Sequence, residues 1–530
     1  MYKQSFFRNS LIVIALILGI YFRFEHLEKK LIWHDEIGTL LFSAGQGIDQ
    51  WQGALYTADL LDVKIVSEVH RQNPKGILSV ISSLIQDDPQ HPPLYYILAG
   101  IWTHLFADDI ATLRLLSALF SLFCLPAIYW LCKELYSDSR IAWTGVTLIA
   151  TSPFFVLYSQ EGREYSLWFA LILFSNASLL RAIRLVHSDI STGERIKAWI
   201  LFSLITALCL YTSLATVSMM FGQVLYIILR EKFRITKASL ESVFAYVIIS
   251  LLFLPWALAL LRRWEAFEIS MAWSKIIHIP VRSLLEINAL NISRTSIDFW
   301  PDRLYGGIFT PIGIGIATIL SIGSVFYLFR RTSFKATGLV LTLILVPLMV
   351  LLGPDLLFGG IRSVSARYIA PSLIGLELAL AFLLGLRRVS KDWIREGALC
   401  LVLIVRIASC FHNSEQEVVW TKGISYNLPD AAKIINAASA PLVVGNRERH
   451  HPGNLLALSH LLKASSKMQF LTPEMTENPD YKLPKKFTVF LFSPVEQFRL
   501  ALEKRERIRT RLLLQDLHLE LWVVEPDTLQ

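Results

Sequence analysis

Charge is scarce in this 530-residue chain: 18% of its residues are Asp, Glu, Lys or Arg, against about 25% in an ordinary soluble domain. Beside that deficit stand 54% hydrophobic residues, gathered in long blocks. Together they exclude a soluble globular protein and point to a membrane one. Cysteine is scarce too. The five, Cys124, Cys132, Cys209, Cys400 and Cys410, lie within or at the ends of apolar blocks with no CxxC. That argues against a disulfide framework or a zinc site. The sequence has no Gly-rich phosphate loop, no GxSxG and no HExxH, so the machinery of the common soluble enzymes is missing. No internal repeat or low-complexity stretch is evident. The formal charge of +8 reflects 51 basic against 43 acidic residues. The basic residues stand in short clusters between apolar blocks, which membrane topology explains and nucleic-acid binding does not.

A helix needs about 20 apolar residues to cross a bilayer. Eleven segments qualify, some of them short: 8–24, 112–132, 141–158, 166–186, 198–212, 214–229, 243–261, 308–329, 337–353, 369–386 and 397–411. The first follows Lys3 and Arg8 as a signal peptide would. Arg23-Phe24-Glu25-His26 stands where a small-residue cleavage site belongs, so we expect an uncleaved span. Residues 93–106 (PLYYILAGIWTHLF) are fourteen long and carry His104, which suits an interfacial or re-entrant helix better than a span.

Charge separates the two sides. Basic clusters follow the second, fourth, sixth, eighth and tenth spans: Lys133 and Arg140; Arg195 and Lys197; Arg230, Lys232, Arg234 and Lys237; Arg330, Arg331 and Lys335; Arg387, Arg388, Lys391 and Arg395. If 93–106 does not cross, these clusters and the N-terminus share one face, the cytoplasm. The loop 25–111, the turn 159–165, the segment 262–307, the turn 354–368 and the tail 412–530 then face outward. The tail alternates strand-like runs (Pro441–Asn446, 487–492, 519–525) with helix-like ones (453–463, 494–505). We expect an α-helical polytopic membrane domain over 1–411, with about eleven transmembrane helices and interfacial helices in the first external loop. A small external α/β domain is expected over 412–530. The cytoplasmic loops are too short for a nucleotide-sugar domain, so a donor would come from the membrane or from outside.

Several outward-facing residues can carry chemistry. Asp35-Glu36, in WHDEIGTL, is a carboxylate pair at the membrane surface, able to act as a general base or hold a divalent cation. The plainer reading is a solvated acidic pair at a helix start. His91 opens HPPLYY beside the boundary, where it can meet phosphate or metal. A divalent cation is the sole cofactor considered, with Asp35, Glu36 and His91 as its candidate ligands. Arg114 lies at the outer end of the second span, a functional position or a snorkelling one. The turn 159–165 (SQEGREY) offers Glu161 for a sugar or cation and Arg163 for phosphate; its plainer reading is a solvated turn. Arg367 and Tyr368, opening the tenth span, suit a lipid phosphate or an interfacial anchor. Glu377 and Arg406 also lie mid-span; each reads as a member of some structural pair, and neither is assigned chemistry.

Four of these motifs occur in one order: Asp35-Glu36 after the first span, HPPLYY followed by LRLLSALF, SQEGREYSLW, and ARYIAPSL. Over roughly residues 10–390 this order resembles the protein O-mannosyltransferase and aminoarabinose-transferase group of the GT-C superfamily of membrane glycosyltransferases. The resemblance implies an acidic catalytic site in the first external loop. It also implies a dolichyl- or undecaprenyl-phosphate sugar as donor, and interfacial helices that shape the cavity. On it, Asp35 is the catalytic carboxylate with Glu36 in support, and His91, Arg114, Glu161, Arg163, Arg367 and Tyr368 serve the donor. The partners implied are the lipid-linked donor, membrane lipids and an extracytoplasmic glycan, lipid or protein acceptor, at a bacterial plasma membrane. No acceptor-specific motif has a counterpart here, and the tail 412–530 matches nothing named, so donor sugar and acceptor stay open. Two other classes compete. A flippase or transporter of lipid-linked saccharides predicts repeat symmetry and gapped helices near the midplane; no such symmetry is visible, and the charges gather at one face. A sensory scaffold would not need charged motifs gathered at one face.

Overall fold

The computed structural model describes residues 2–71, 76–299, 309–387, 392–446, 452–478 and 480–526. The chain forms two compact units: Met1–Leu27, Asp88–Leu98 and Arg114–Gln416 make the first, and Glu28–Asp87, Ala99–Leu113 and Glu417–Gln530 the second.

The first unit is a helical bundle. Among the described residues, seven helices are long and apolar enough to cross a membrane: Phe6–Phe24, Ile110–Tyr136, Tyr165–Val186, Thr192–Thr212, Lys237–Arg262, Thr310–Arg331 and Phe334–Phe358. Ser139–Thr151 and Pro153–Ser159 make an eighth if taken as one span bent by 57°. The bend follows from Pro153. Its ring cannot donate to the helix ladder, and it pushes the preceding Ser152 into extended backbone at ψ 122°. The freed Phe154 N donates to the Arg294 carbonyl at 3.2 Å, and beside it Ser152 Oγ donates to the Thr295 carbonyl at 2.7 Å. Thr216–Arg230 and Ala370–Gly385 are shorter apolar helices, and the last expected segment falls on Asp392–Glu415. Each of the eleven expected segments therefore coincides with helix, seven of them at spanning length, or eight if the bent pair is one span. Residue 308, the first of the eighth segment, lies outside the described residues. The run 93–106 forms the helix Leu94–Leu105, about 18 Å long at 1.5 Å per residue and well short of the hydrocarbon core.

Ion pairs gather the basic ends of these helices. Arg8 lies 2.8 Å from Glu396, and Arg140 reaches Asp392 at 3.0 Å and also pairs with Glu396. The ends of the second and fourth segments join through Glu134 and Arg184 at 2.9 Å. The starts of the fifth and seventh join through Arg195 and Glu241 at 2.7 Å. Arg388 and Lys391 of the last cluster lie outside the described residues. Deeper in the bundle Arg406 pairs with Glu377 at 2.8 Å, both side chains buried; the same guanidinium donates to the Leu148 carbonyl and to Ser296 Oγ. Charge in a span is tolerated only when so satisfied.

The second unit is built on a six-stranded sheet: β1 (Leu61–Asp62), β2 (Pro441–Asn446), β3 (Lys467–Leu471), β4 (Thr488–Phe492), β5 (Ile508–Gln515) and β6 (Glu520–Pro526). Their order is β1-β3-β2-β4-β6-β5. β2 runs parallel to β3 and β4, and the outer pairs are antiparallel. Every residue of β2 is buried, as a strand covered on both faces requires. β1 comes from the first loop. Leu31, Ile37, Leu41 and Val66 from that loop share a core with Leu455, Phe470 and Phe492 from the tail.

Candidate functional site

The turn at residues 159–165 is buried throughout. A chain of polar and charged residues between two apolar helices would ordinarily be a solvated loop; here it is buried, and buried polar groups call for hydrogen-bond partners. Gln160 Nε2 donates to the carbonyls of Phe22 and Glu25 at 2.9 and 2.8 Å. Ser117 Oγ donates to the Arg163 carbonyl at 3.2 Å. Arg163 reaches Glu164 at 3.2 Å, donates to Tyr96 Oη at 3.0 Å, and has Nη2 2.9 Å from His91 Nε2. Glu161 is buried in the same turn.

His91 is held from its other side. Asp88, one turn earlier, lies 2.8 Å from His91 Nδ1. Burial opposes the charge on the ring, but the Asp88 carboxylate outweighs it and holds the His91 pKa above its ordinary value. Burial likewise opposes the charge on Asp88, and His91 draws that carboxyl below the usual range. The expected site residue His91 therefore belongs to a network with Arg163. Asp88, Tyr96 and Glu164 are members that the sequence reading passed over. Of these, Asp88 had a signal, three residues before a histidine.

Arg367 and Tyr368 are half-buried. The Arg367 guanidinium lies 5.4 Å from the Tyr165 ring centroid and 5.2 Å from that of Tyr368. Its loop is set from behind. Asp355, buried, accepts from Arg362 Nη1 at 2.8 Å and from Ser363 N and Oγ at 2.8 and 2.9 Å. Asn288 and Asn291 donate to Ser363 Oγ and to the Val364 carbonyl at 3.1 and 2.8 Å. Two residues beyond Arg367, at Ile369, begins an apolar cavity of about 580 Å³ lined by Ile292, Phe326, Leu348 and Leu373 among others. Its wall along Thr318 to Phe329 is about 16 Å long by helix rise.

Arg114 is fully buried and donates to the Leu27 carbonyl at 2.6 Å, so it ties two parts of the first unit together and does not snorkel.

Asp35 and Glu36 belong to the second unit. They occupy the first turn of the helix His34–Ser43, where the dipole favours acids. Asp35 Oδ1 lies 2.8 Å from His34 Nε2. Glu36 is not solvated: its side chain is 0% exposed and pairs with the equally buried Lys422 at 3.3 Å. Among the described residues no group of three or more His, Cys, Asp and Glu is arranged to hold a metal ion.

Residues 90–258 match the family model of dolichyl-phosphate-mannose-protein mannosyltransferases. No curated protein matches the chain. Among solved structures, the chain is similar to ArnT from Cupriavidus metallidurans bound to undecaprenyl phosphate, with TM-score 0.53 at 11% identity over 97% of each chain. The apo form of ArnT gives TM-score 0.51 at 13% identity, over 90% of this chain and 96% of that one. An Archaeoglobus fulgidus oligosaccharyltransferase tethered with an acceptor peptide gives 0.50 at 10% identity, over 96% of this chain and 73% of that one. At such identities the likeness is one of fold. The family match spans the His91, Arg114 and Arg163 motifs, and with the shared fold it bears out the resemblance read from them: this chain is similar to the integral-membrane glycosyltransferases of the GT-C superfamily.

Proposed function

We propose that the protein transfers a sugar from a polyprenyl-phosphate carrier to an extracytoplasmic glycan, lipid or protein, with inversion at the anomeric carbon. The observation that carries this reading is the convergence of Arg163 and Arg367 on Tyr165, with Ile369, two residues on from Arg367, lining an apolar cavity. A lipid phosphosugar has an anionic phosphate and a long apolar chain. Guanidiniums suit the first and the cavity suits the second. In this reading Arg163 and Arg367 neutralise the departing phosphate, with His91, Glu161 and Tyr368 around them. Asp35 takes the proton of the acceptor hydroxyl or amine as that atom bonds to the anomeric carbon and the C–O bond to phosphate breaks. Glu36 supports Asp35.

We also propose eleven crossings with the N-terminus in the cytoplasm and residues 412–530 outside as an α/β domain. The ion pairs joining Arg8, Arg140, Asp392 and Glu396 support this, because they gather the starts of the first, third and eleventh segments at one end. The test of function is release of polyprenyl phosphate from a lipid-linked sugar by the purified protein with an envelope extract as acceptor. Sugar transfer that disappears in Arg367→Ala supports the reading; transport of the intact lipid-linked sugar without its cleavage contradicts it.

A further inference from the structure

We propose that Lys422 and Ser425, with Asn454 behind them, are positioning residues for Asp35, so that the start of the C-terminal tail is a working part of the catalytic site; this rests on Asp35 being the base. The helix His34–Ser43 begins without a cap of its own. The first N–H groups of a helix lack partners, and its N-cap residue, Trp33, makes no side-chain cap. Ser425 meets this helix start. Its Oγ accepts from His34 N at 3.1 Å and donates to Asn454 Oδ1 at 2.6 Å, while Asn454 Nδ2 donates to the Ile424 carbonyl at 3.2 Å.

Lys422 fixes the same turn from another direction. Its ammonium lies 3.3 Å from Glu36, with both side chains 0% exposed, and 6.0 Å from the Trp33 ring centroid. Between these two contacts the chain passes Trp33 at Gly423. The backbone there takes φ +53°, and an added Cβ would lie 3.1 Å from the ring, so glycine answers both demands. Gly453, beside Asn454, packs against His34 so closely that a Cβ would stand 3.0 Å from the histidine Cβ.

A buried ion pair is a poor source of stability, because desolvation cancels most of its attraction; its better attested use is to specify one arrangement. Here it specifies the rotation of a helix start. Glu36 follows Asp35 directly, so pinning one carboxylate and the preceding N–H fixes the direction in which the other projects. His34, whose N–H Ser425 holds, is also the partner of Asp35 Oδ1. A merely structural pair would alter stability when broken and leave the turnover of the folded fraction alone.

The test uses the full chain in lipid nanodiscs, with the host's polyprenyl-phosphate sugar fraction as donor and an envelope extract as acceptor. Lys422→Met keeps the stem and removes the charge. We expect turnover at saturating donor to fall about 10²-fold, the scale of a 1 Å misplacement, with the donor KM unchanged. Adding Glu36→Gln removes the stranded charge and should recover stability but not turnover, because the ion pair that holds the turn stays absent. Ser425→Ala, which leaves the ion pair intact, gives a second route if Lys422→Met does not fold; it should lose turnover and keep KM. Wild-type turnover in folded Lys422→Met or Ser425→Ala overturns the proposal, as does a loss that appears in KM alone or that Glu36→Gln repairs along with stability. Asp35→Asn is measured alongside. Full activity there defeats the base assignment, whereas an inactive Asp35→Asn beside unaffected Lys422→Met and Ser425→Ala defeats the positioning role alone.

Discussion

Arg163 and Arg367, 204 positions apart in the chain, share one aromatic ring: their guanidiniums lie 5.7 and 5.4 Å from the centroid of Tyr165. The two cations are therefore within about 11 Å of each other, close enough to act on one phosphosugar. They differ in burial, and this separates their roles experimentally.

Arg367 is half-buried, so Arg367→Ala should fold and lose donor binding. Arg367→Lys should retain part of it, since lysine keeps the charge and loses the planar fork. Arg163 is 3% exposed and pairs with Glu164. Arg163→Ala strands a buried carboxylate and should cost roughly 3–5 kcal/mol of stability, in addition to activity. Thermal unfolding and donor-binding titrations check both. Wild-type donor binding by Arg367→Ala would remove it from the phosphate site.

The first network predicts a pH dependence. His91 is faced by Asp88, Arg163, Glu164 and Tyr96, and its folded pKa is raised above 6.5. Its contribution to stability is complete below that value and is lost as pH rises through the folded pKa. Asp88, lowered from 3.8, contributes above that value and loses its contribution as pH falls through its folded pKa. The melting temperature should therefore decline from slightly acid to alkaline pH. Asp88→Asn should flatten that decline; an unchanged slope in the variant would assign it elsewhere.

Arg406 and Glu377 are both buried within the bundle. Arg406→Met alone leaves a carboxylate in an apolar setting and should destabilise by roughly 3–5 kcal/mol, while Glu377→Leu added to it should recover most of the loss. Thermal unfolding in detergent reads both. A double variant as unstable as the single one would mean that Arg406 acts chiefly through its contacts to Leu148 and Ser296.

Much of the bundle was legible because a span is specified by length and apolarity alone, and each expected segment falls on helix. What periodicity could not show was partnership. Glu377 and Arg406 were visible as mid-span charges, but that they meet depends on helix packing. The turn at 159–165 reads as exposed because it is polar; that its Arg163 meets His91 and Tyr96, some 70 positions earlier, is a matter of packing. β3 was missed because KMQFL is only five residues long, too short for its alternation to stand out, and β1 is two residues long. Lys422 carried no signal at all: one lysine in a polar tail becomes meaningful only beside Glu36, 386 positions away.

Topology is testable through Leu517, 89% exposed in the second unit. Leu517→Cys should react with an impermeant maleimide in intact cells or spheroplasts. Labelling only after permeabilisation would place the tail in the cytoplasm and rule out the outward site.

The most direct measurement is sugar transfer by Asp35→Asn. Asparagine is nearly isosteric and can still meet His34, but it cannot take a proton. The general-base contribution is about 10²–10⁴-fold, so turnover should fall by that order while donor affinity, set by Arg163 and Arg367, stays at the wild-type value. Glu36→Gln should fall less, because Glu36 faces Lys422 and serves to hold its neighbour. A well-folded Asp35→Asn, Glu36→Gln double variant that transfers sugar at the wild-type rate would contradict the account.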